Sequence, residues 1–596
     1  MKRFVLVLIV AAAAGFAISY GLRYAARTPP TAVAALLPRE TILLMHLPDF
    51  NRTRDQWHDS DIYKLYREPA VQAFLQRPLR KVPQHDAVST TLQEMERLAM
   101  KDAFIGVTSI ENNSPKIVAG FRFRGSQDNA QKIIDEWRAQ SLSNAANVPR
   151  QTVDYAQHKI DIVGTGLNQS ATVYDGDWLF VSNDLDQLKA LLDRADHRAP
   201  ATASPSRGGQ DRQPQNHRGS RSLSESTLEA DENFRAAMAH MPSSYALLFY
   251  VQPKTIVEKL GAFQAEIGRQ APAAAQRTIL EEMHSICGTT RFDGGKIHDV
   301  FFVGMGRQAE HASLARSAVR LGTKDTFFYL ATLLNIDKLA GLNQPNVSAP
   351  FAGWLHKVFD VASRNGVTAE DWKAAFELEL GSLADWPPGA RWPSLILTLP
   401  VKDVTRADKV VSALTSAIDE DRIWTKTEKD GVHYFYVRWG LGNLVAATPT
   451  IAFSNRTLVA GLDPTWVEAA MTRAQRSSSD LASSAPYKSA ARALPAPTNF
   501  FAYVDMPLLY SRLDASVRPL LLMGAAFMPA ISDHIDVNKL PPPEAVTKHL
   551  SPIVSSQRYQ GGGYLSESIG PITLNQAAII LAVPAILWLS SHHSGG

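Results

Sequence analysis

Cysteine is almost missing from this 596-residue chain. Cys287 stands alone, which excludes an intramolecular disulfide and any zinc site built from several cysteines. An excess of one charge is missing too: 61 Lys and Arg face 58 Asp and Glu, a formal net charge of +3, so no global field draws nucleic acid. Catalytic signatures are also lacking. No Gly-x-Ser-x-Gly elbow occurs. The stretch "GTTRFDGGKI" (Gly288–Ile297) places Ile297 where a phosphate loop needs Ser or Thr, and it reads as strand, turn and strand. "WGLGNL" (Trp439–Leu444) lacks the third glycine of a dinucleotide fingerprint. No catalytic, metal-binding or cofactor-binding residue is therefore assigned, and no cofactor is implied.

What the chain does have is core material, with 45% apolar and 9% aromatic residues. Its length calls for two or more domains. The N-terminus carries Lys2 and Arg3 ahead of an uncharged apolar run, Phe4–Leu22. A helix over those residues spans about 28 Å, close to the hydrocarbon thickness of a bilayer. The reading is an uncleaved signal anchor over residues 1–30 with its transmembrane helix at 4–22, a cleaved signal being the alternative. The charge before the span places the body outside the cytoplasmic membrane, on the periplasmic side. A second apolar stretch, 572–589, contains Pro584 and reads as a helix that either associates with the membrane or docks on the protein.

The chain also writes one pattern twice. "MPSSYALLFYV" (Met241–Val251) returns as "LPAPTNFFAYV" (Leu494–Val504), in each case an apolar strand after a short helix stopped by proline. "WLFVSNDLDQLKALLDRA" (Trp178–Ala195) matches "TLVAGLDPTWVEAAMTRA" (Thr457–Ala474), with Asp184 and Asp463 placed as helix N-caps. "ETILLMHL" (Glu40–Leu47) matches "DTFFYLAT" (Asp325–Thr332), and "SICGTTRFDGGKI" (Ser285–Ile297) matches "PIVSSQRYQGGGY" (Pro552–Tyr564). "IVAGFRFRGSQDNAQKIIDEW" (Ile117–Trp137) matches "SLILTLPVKDVTRADKVVSAL" (Ser394–Leu414), a strand and then an amphipathic helix. The order is the same both times. These matches predict two tandem α+β repeats, at 36–320 and 323–570, each a mixed or antiparallel sheet with helices. The segment 197–227, rich in Pro, Gly, Ser and Arg, reads as a disordered insertion in the first repeat.

"ALLPRETILLMHLPDFNRTRDQW" (Ala35–Trp57), "FRAAMAHMPSSYALLFYV" (Phe234–Val251), "RFDGGKIHDVFFV" (Arg291–Val303) and "GYLSESIGPITLNQA" (Gly563–Ala577) together resemble a group of bacterial membrane-anchored, exported proteins. Their shared domain has no assigned function. The resemblance covers most of the chain and rests on apolar and turn residues, so it implies architecture and localisation and transfers no catalytic residue.

Polar clusters have structural readings. His58, Asp59 and Asp61 lie near a helix start, where acids suit the helix dipole. Glu281, His284 and Cys287 lack a second histidine, and Cys287 reads as a core thiol. Three cation pairs match between repeats, Lys132 with Lys409, Arg194 with Arg473 and Arg291 with Arg558, and read as exposed partners of nearby acids. The function these features suggest is a membrane-anchored, extracytoplasmic, non-catalytic binding or scaffold protein. Its partners would be the membrane and an unidentified envelope component, not nucleic acid. An envelope enzyme of hydrolase type with a site between the repeats, and a carrier of an apolar ligand, are the alternatives.

Overall fold

The computed structural model describes residues 31–80, 100–111, 114–123, 128, 131–132, 149–164, 169–198, 226–258, 281–307, 313–336, 361–417, 424–437, 439–441, 445–476, 479–527 and 535–577. The anchor expected at 1–30 lies outside them, as do most of the insertion expected at 197–227 and residues 578–589 of the C-terminal apolar stretch. Among the described residues no helix is long and apolar enough to cross a membrane.

Among the described residues the first half contributes ten strands: β1 (Leu43–Leu47), β2 (Met100–Glu111), β3 (Ser114–Phe123), β4 (Arg150–Tyr155), β5 (His158–Val163), β6 (Ser170–Asp175), β7 (Trp178–Ser182), β8 (Leu247–Val251), β9 (Ser285–Asp293) and β10 (Lys296–Gly304). The second half contributes β11 (Thr326–Leu333), β12 (Glu379–Asp385), β13 (Ser394–Pro400), β14 (Thr425–Lys429) and β15 (Val432–Tyr436). After a small separate hairpin, β16 (Trp439–Leu441) and β17 (Val445–Ala447), come β18 (Thr450–Phe453), β19 (Thr457–Gly461), β20 (Phe500–Val504), β21 (Ile553–Gln560) and β22 (Gly563–Gly570).

Apart from that hairpin the strands form one sheet, and every pairing in it is antiparallel. Across it the first half runs β4-β5-β6-β7-β3-β2-β1-β8-β9-β10. The second half runs β14-β15-β18-β19-β13-β12-β11-β20-β21-β22, the same path step for step. The halves meet edge to edge where β10 pairs with β22, from Ile297 opposite Gly570 to Gly304 opposite Gly563. At the middle of this joint Val300 faces Glu567. Val300 and Glu567, Gly294 and Gly561, and Arg291 and Arg558 are all 267 residues apart. The joint therefore pairs corresponding strands head to tail about a local twofold axis between Val300 and Glu567.

The edges explain the joint. The outermost strand β14 reads TKTEK with all five residues exposed, and β4 at the other end is mostly exposed as well. Charged edge strands resist further pairing. β10 and β22 are by contrast largely buried. Two glycine turns deliver the chain to them, Gly294–Gly295 with φ of +56° and +85° and Gly561–Gly562 with φ of +60° and +80°. Positive φ at both central residues matches the strand twist of a tight hairpin.

One face of the sheet carries equivalent helices in both halves. In the first, Leu188, Leu191 and Leu192 of the helix Leu185–Arg198 and Phe234 and Ala237 of Glu232–Met238 pack on Leu44, Leu248, Tyr250 and Val300. In the second, Val467, Ala470 and Met471 of Pro464–Ala474 and Tyr487 and Ala490 of Ala485–Arg492 pack on Tyr329, Phe501 and Tyr503. Leu565 of β22 belongs to the first half's core, so apolar packing crosses the joint. The opposite face is covered by Phe50 of the helix Phe50–His58 in the first half, and by the helices Ala369–Ala375 and Val404–Ala417 in the second.

The insertion boundaries need correction. Residues 197 and 198 close the helix Leu185–Arg198, and Thr227 bridges to Pro38, because a paired backbone there satisfies its own polar groups.

Candidate functional site

The expected caps are in place. Asp184 Oδ1 accepts from the backbone N–H groups of Asp186 and Gln187, and Asp463 Oδ1 from that of Thr465. Cys287 is fully buried in β9, where burial pushes its thiol above the ordinary value. Asp59 ends the helix Phe50–His58, Ser60 caps the next helix, and the His58 ring stacks on Tyr63 at 4.5 Å. Among the described residues no group of three or more His, Cys, Asp or Glu could hold a metal ion.

The matched arginines are not simple surface cations. Arg194 Nε donates to the Leu36 carbonyl at 2.8 Å, and Arg473 Nε to the Leu321 carbonyl at 2.7 Å. Leu36 and Leu321 are 285 residues apart, the same offset as the matched Glu40 and Asp325, so each arginine ties the same helix to the same entry loop. Burial lowers both guanidinium groups below the usual arginine value. Arg473 also lies 3.5 Å from the buried carboxylate of Asp385. Lys409 behaves as read, pairing with Asp371 at 2.9 Å, and Lys132 is exposed as well.

Arg291 and Arg558 reach the joint. Arg291 Nη2 donates to Nδ1 of His298 at 2.9 Å, which leaves the proton on Nε2, 3.3 Å from Glu567 Oε2. Arg558 Nη1 is 2.8 Å from Glu567 Oε1. Burial works to raise the Glu567 carboxyl, and the bonds from His298 and Arg558 outweigh it, so it sits below the ordinary range. On the other face of β10, the fully buried Asp299 accepts from the hydroxyls of Thr290, at 2.8 Å, and Thr573. Burial, only partly opposed by those hydroxyls, raises Asp299 to about 6.

Two further buried carboxylates escaped the sequence reading. His46 and Asp102 have side chains only 1% exposed, with His46 Nε2 3.0 Å from Asp102 Oδ1 and His46 Nδ1 3.1 Å from the Tyr245 hydroxyl. A Tyr245 O–H donating to Nδ1 and an Nε2–H donating to Asp102 form one consistent chain. In the second half Glu379 accepts from three consecutive backbone N–H groups, of Ala315, Arg316 and Ser317 at 2.7, 2.8 and 2.6 Å, and from the Ser317 hydroxyl at 2.8 Å. Arg316 takes the left-handed conformation, φ +55°, that curls those groups into a nest.

These acids correspond. Leu44 faces Gly106 and Tyr329 faces Leu383, so the register that matches β1 to β11 carries Asp102 onto Glu379. The signal that could have found them is an acid at matched positions in "KDAFIGV" and "LELGSLA", visible only once β2 and β12 are aligned.

Each half also has a cavity. One of about 230 Å³ is lined by Arg52, Gln56, Ser244, Tyr245, Arg291 and Asp293 among others, and Arg52 there donates to Ser244 at 3.0 Å. The other, about 320 Å³, lies between the turn Ser317–Leu321, the end of β13, the β18–β19 turn and Ala474.

No family model and no curated protein matches the chain. Two solved structures, crystal forms III and IV of TP0453, are similar to part of it, with 7% and 6% identity and TM-scores of 0.23 and 0.22. They align over 48% and 47% of this chain and 84% and 81% of theirs. A likeness of that size carries no argument about function.

Proposed function

We propose that the chain is a membrane-anchored, extracytoplasmic, non-catalytic binding or scaffold protein made of two tandem copies of one α+β unit, a member of the exported bacterial group it resembles. The observation that carries this reading is the repeated strand path about the joint between Val300 and Glu567. Joining two copies through the buried edges β10 and β22 makes one continuous platform with polar outer strands. Such a platform presents paired surfaces to a partner, and duplicated modules commonly place ligand sites in the concave regions between elements. The apolar run behind Lys2 and Arg3 supports the anchor and the orientation.

The buried polar groups support a non-catalytic reading. Asp102, His46 and Tyr245 are enclosed, and burial raises the Tyr245 phenol so that it stays protonated. Glu379 is enclosed by backbone N–H groups.

The test is crosslinking in intact native membranes, then purification of the full chain and mass spectrometry of what accompanies it. One reproducible envelope partner, kept when the anchor is exchanged and lost when the repeats are deleted, is the expected result. Recovery of the protein alone, together with substrate turnover by the purified chain, would overturn the reading.

A further inference from the structure

In the first half, at the end of β3, Arg122 faces Trp178 across the strand pair, and its Nε donates to Asp177 Oδ2 at 2.6 Å. The second half has Pro400 facing Thr457 at the corresponding place, and the residue corresponding to Asp177 is Arg456. A cation thus replaces the internal acid, and the 320 Å³ cavity opens there.

Its lining carries Arg320, Arg456 and Asn455, whose side chains make no hydrogen bond or ion pair among the described residues. No carboxylate lines it. The nearby acids are already engaged: Glu379 by its nest, and Asp385 by Thr326 and Arg473. Two guanidinium groups and an amide without partners among the described residues therefore border one space that no carboxylate lines. Ala318, Leu321, Pro400, Val401 and Ala474 give the same cavity an apolar wall.

We propose that this cavity binds a phosphate monoester, with Arg320 and Arg456 holding the phosphate dianion and the apolar wall holding a small organic body. A phosphate monoester carries close to two negative charges at neutral pH, which two arginines match, and guanidinium groups engage phosphate oxygens in paired hydrogen bonds. The volume lies at the small end of ligand sites. The phosphate can arrive on a soluble ester or on a lipid headgroup of the phosphatidic acid type. This inference stands apart from partner capture and uses only the correspondence of the two halves.

The experiment is calorimetric titration of the full chain, in neutral detergent, with glycerol 3-phosphate. Co-flotation with phosphatidylcholine vesicles, with and without phosphatidic acid, accompanies it. Saturable binding of glycerol 3-phosphate assigns a soluble ligand; flotation that depends on phosphatidic acid, without that binding, assigns a lipid. In either case R320Q and R456Q should each weaken binding about tenfold, equivalent to about 1.4 kcal/mol, and the double variant should abolish it. Both arginines are exposed, so the variants should melt like the parent. Absence of binding in both assays, or unchanged affinity in the folded double variant, would overturn the proposal.

Discussion

Asp102 and Glu379 occupy one place in the two halves of the sheet, yet His46 engages the first and three backbone N–H groups engage the second. The residue corresponding to His46 is Ala331, which faces Gly381, so no imidazole can reach Glu379. The turn 315–317 fills that role. A buried acid kept through two different solutions is costly to leave unpaired, since a buried acceptor that loses its donor costs about 1–3 kcal/mol.

His46→Ala is accordingly expected to destabilise the first half by about 1–3 kcal/mol, because Asp102 stays buried without the N–H it accepts from. The double replacement His46→Leu with Asp102→Leu should cost much less than the two single changes added together. Guanidinium denaturation of the three variants checks this; a double variant as weak as the sum would show that packing and not charge is at stake.

Glu379→Ala leaves three N–H groups and the Ser317 hydroxyl without an acceptor, each lost partner costing about 1–3 kcal/mol. Glu379→Gln keeps one acceptor oxygen and should lose far less. Hydrogen exchange at residues 315–317 should quicken sharply in the alanine variant and modestly in the glutamine one.

How much of this was legible depended on distance along the chain. The caps Asp184 and Asp463 and the turns Gly294–Gly295 and Gly561–Gly562 are local, so neighbouring residues announce them. The matched core positions were legible because apolar residues recur at strand and helix spacing. Asp102 was not, because its partner His46 lies 56 residues earlier on another strand, and Tyr245, which bonds the far side of that ring, is 199 residues from His46. Arg194 and Arg473 were seen as a pair but read as solvated; each reaches a carbonyl more than 150 residues earlier, which no local pattern reveals. The joint was invisible for a further reason. Which edges meet depends on β10 and β22 being the end strands of their halves, a property of the finished sheet.

Arg194→Met removes the donor to the Leu36 carbonyl, and a charged hydrogen bond of this kind contributes about 1.5–3 kcal/mol. Arg473→Met should cost more, because it also strips the buried Asp385 carboxylate of its cation. Comparing the two denaturation midpoints tests the order; equal losses would place Asp385 outside the argument.

Gly563 faces Gly304 at the end of the joint, and a Cβ there would lie 2.5 Å from the Val303 carbonyl oxygen and from the Phe302 ring. A carbonyl in a paired strand cannot swing aside. Gly563→Ala is therefore expected to force the joint apart locally at a cost of about 1–3 kcal/mol, read as faster hydrogen exchange in both β10 and β22 while β4 and β14 stay unchanged.

Asp299 gives the joint a pH dependence whose sign follows from its raised pKa of about 6 against 3.8 in an ordinary setting. The folded protein binds this proton more tightly than the unfolded chain, so its contribution is fully present below about pH 4 and is lost as pH rises through about 6. Two pKa units at about 1.4 kcal/mol each put the swing near 3 kcal/mol. Asp299→Asn removes the titration while leaving an oxygen to accept from Thr290 and Thr573. The difference in unfolding free energy between parent and Asp299→Asn should shift in favour of the variant between pH 4 and 7, by up to about 3 kcal/mol. A difference that stays flat across that window would mean that the Asp299 carboxyl titrates alike in both states, and that Thr290 and Thr573 hold it as a full carboxylate.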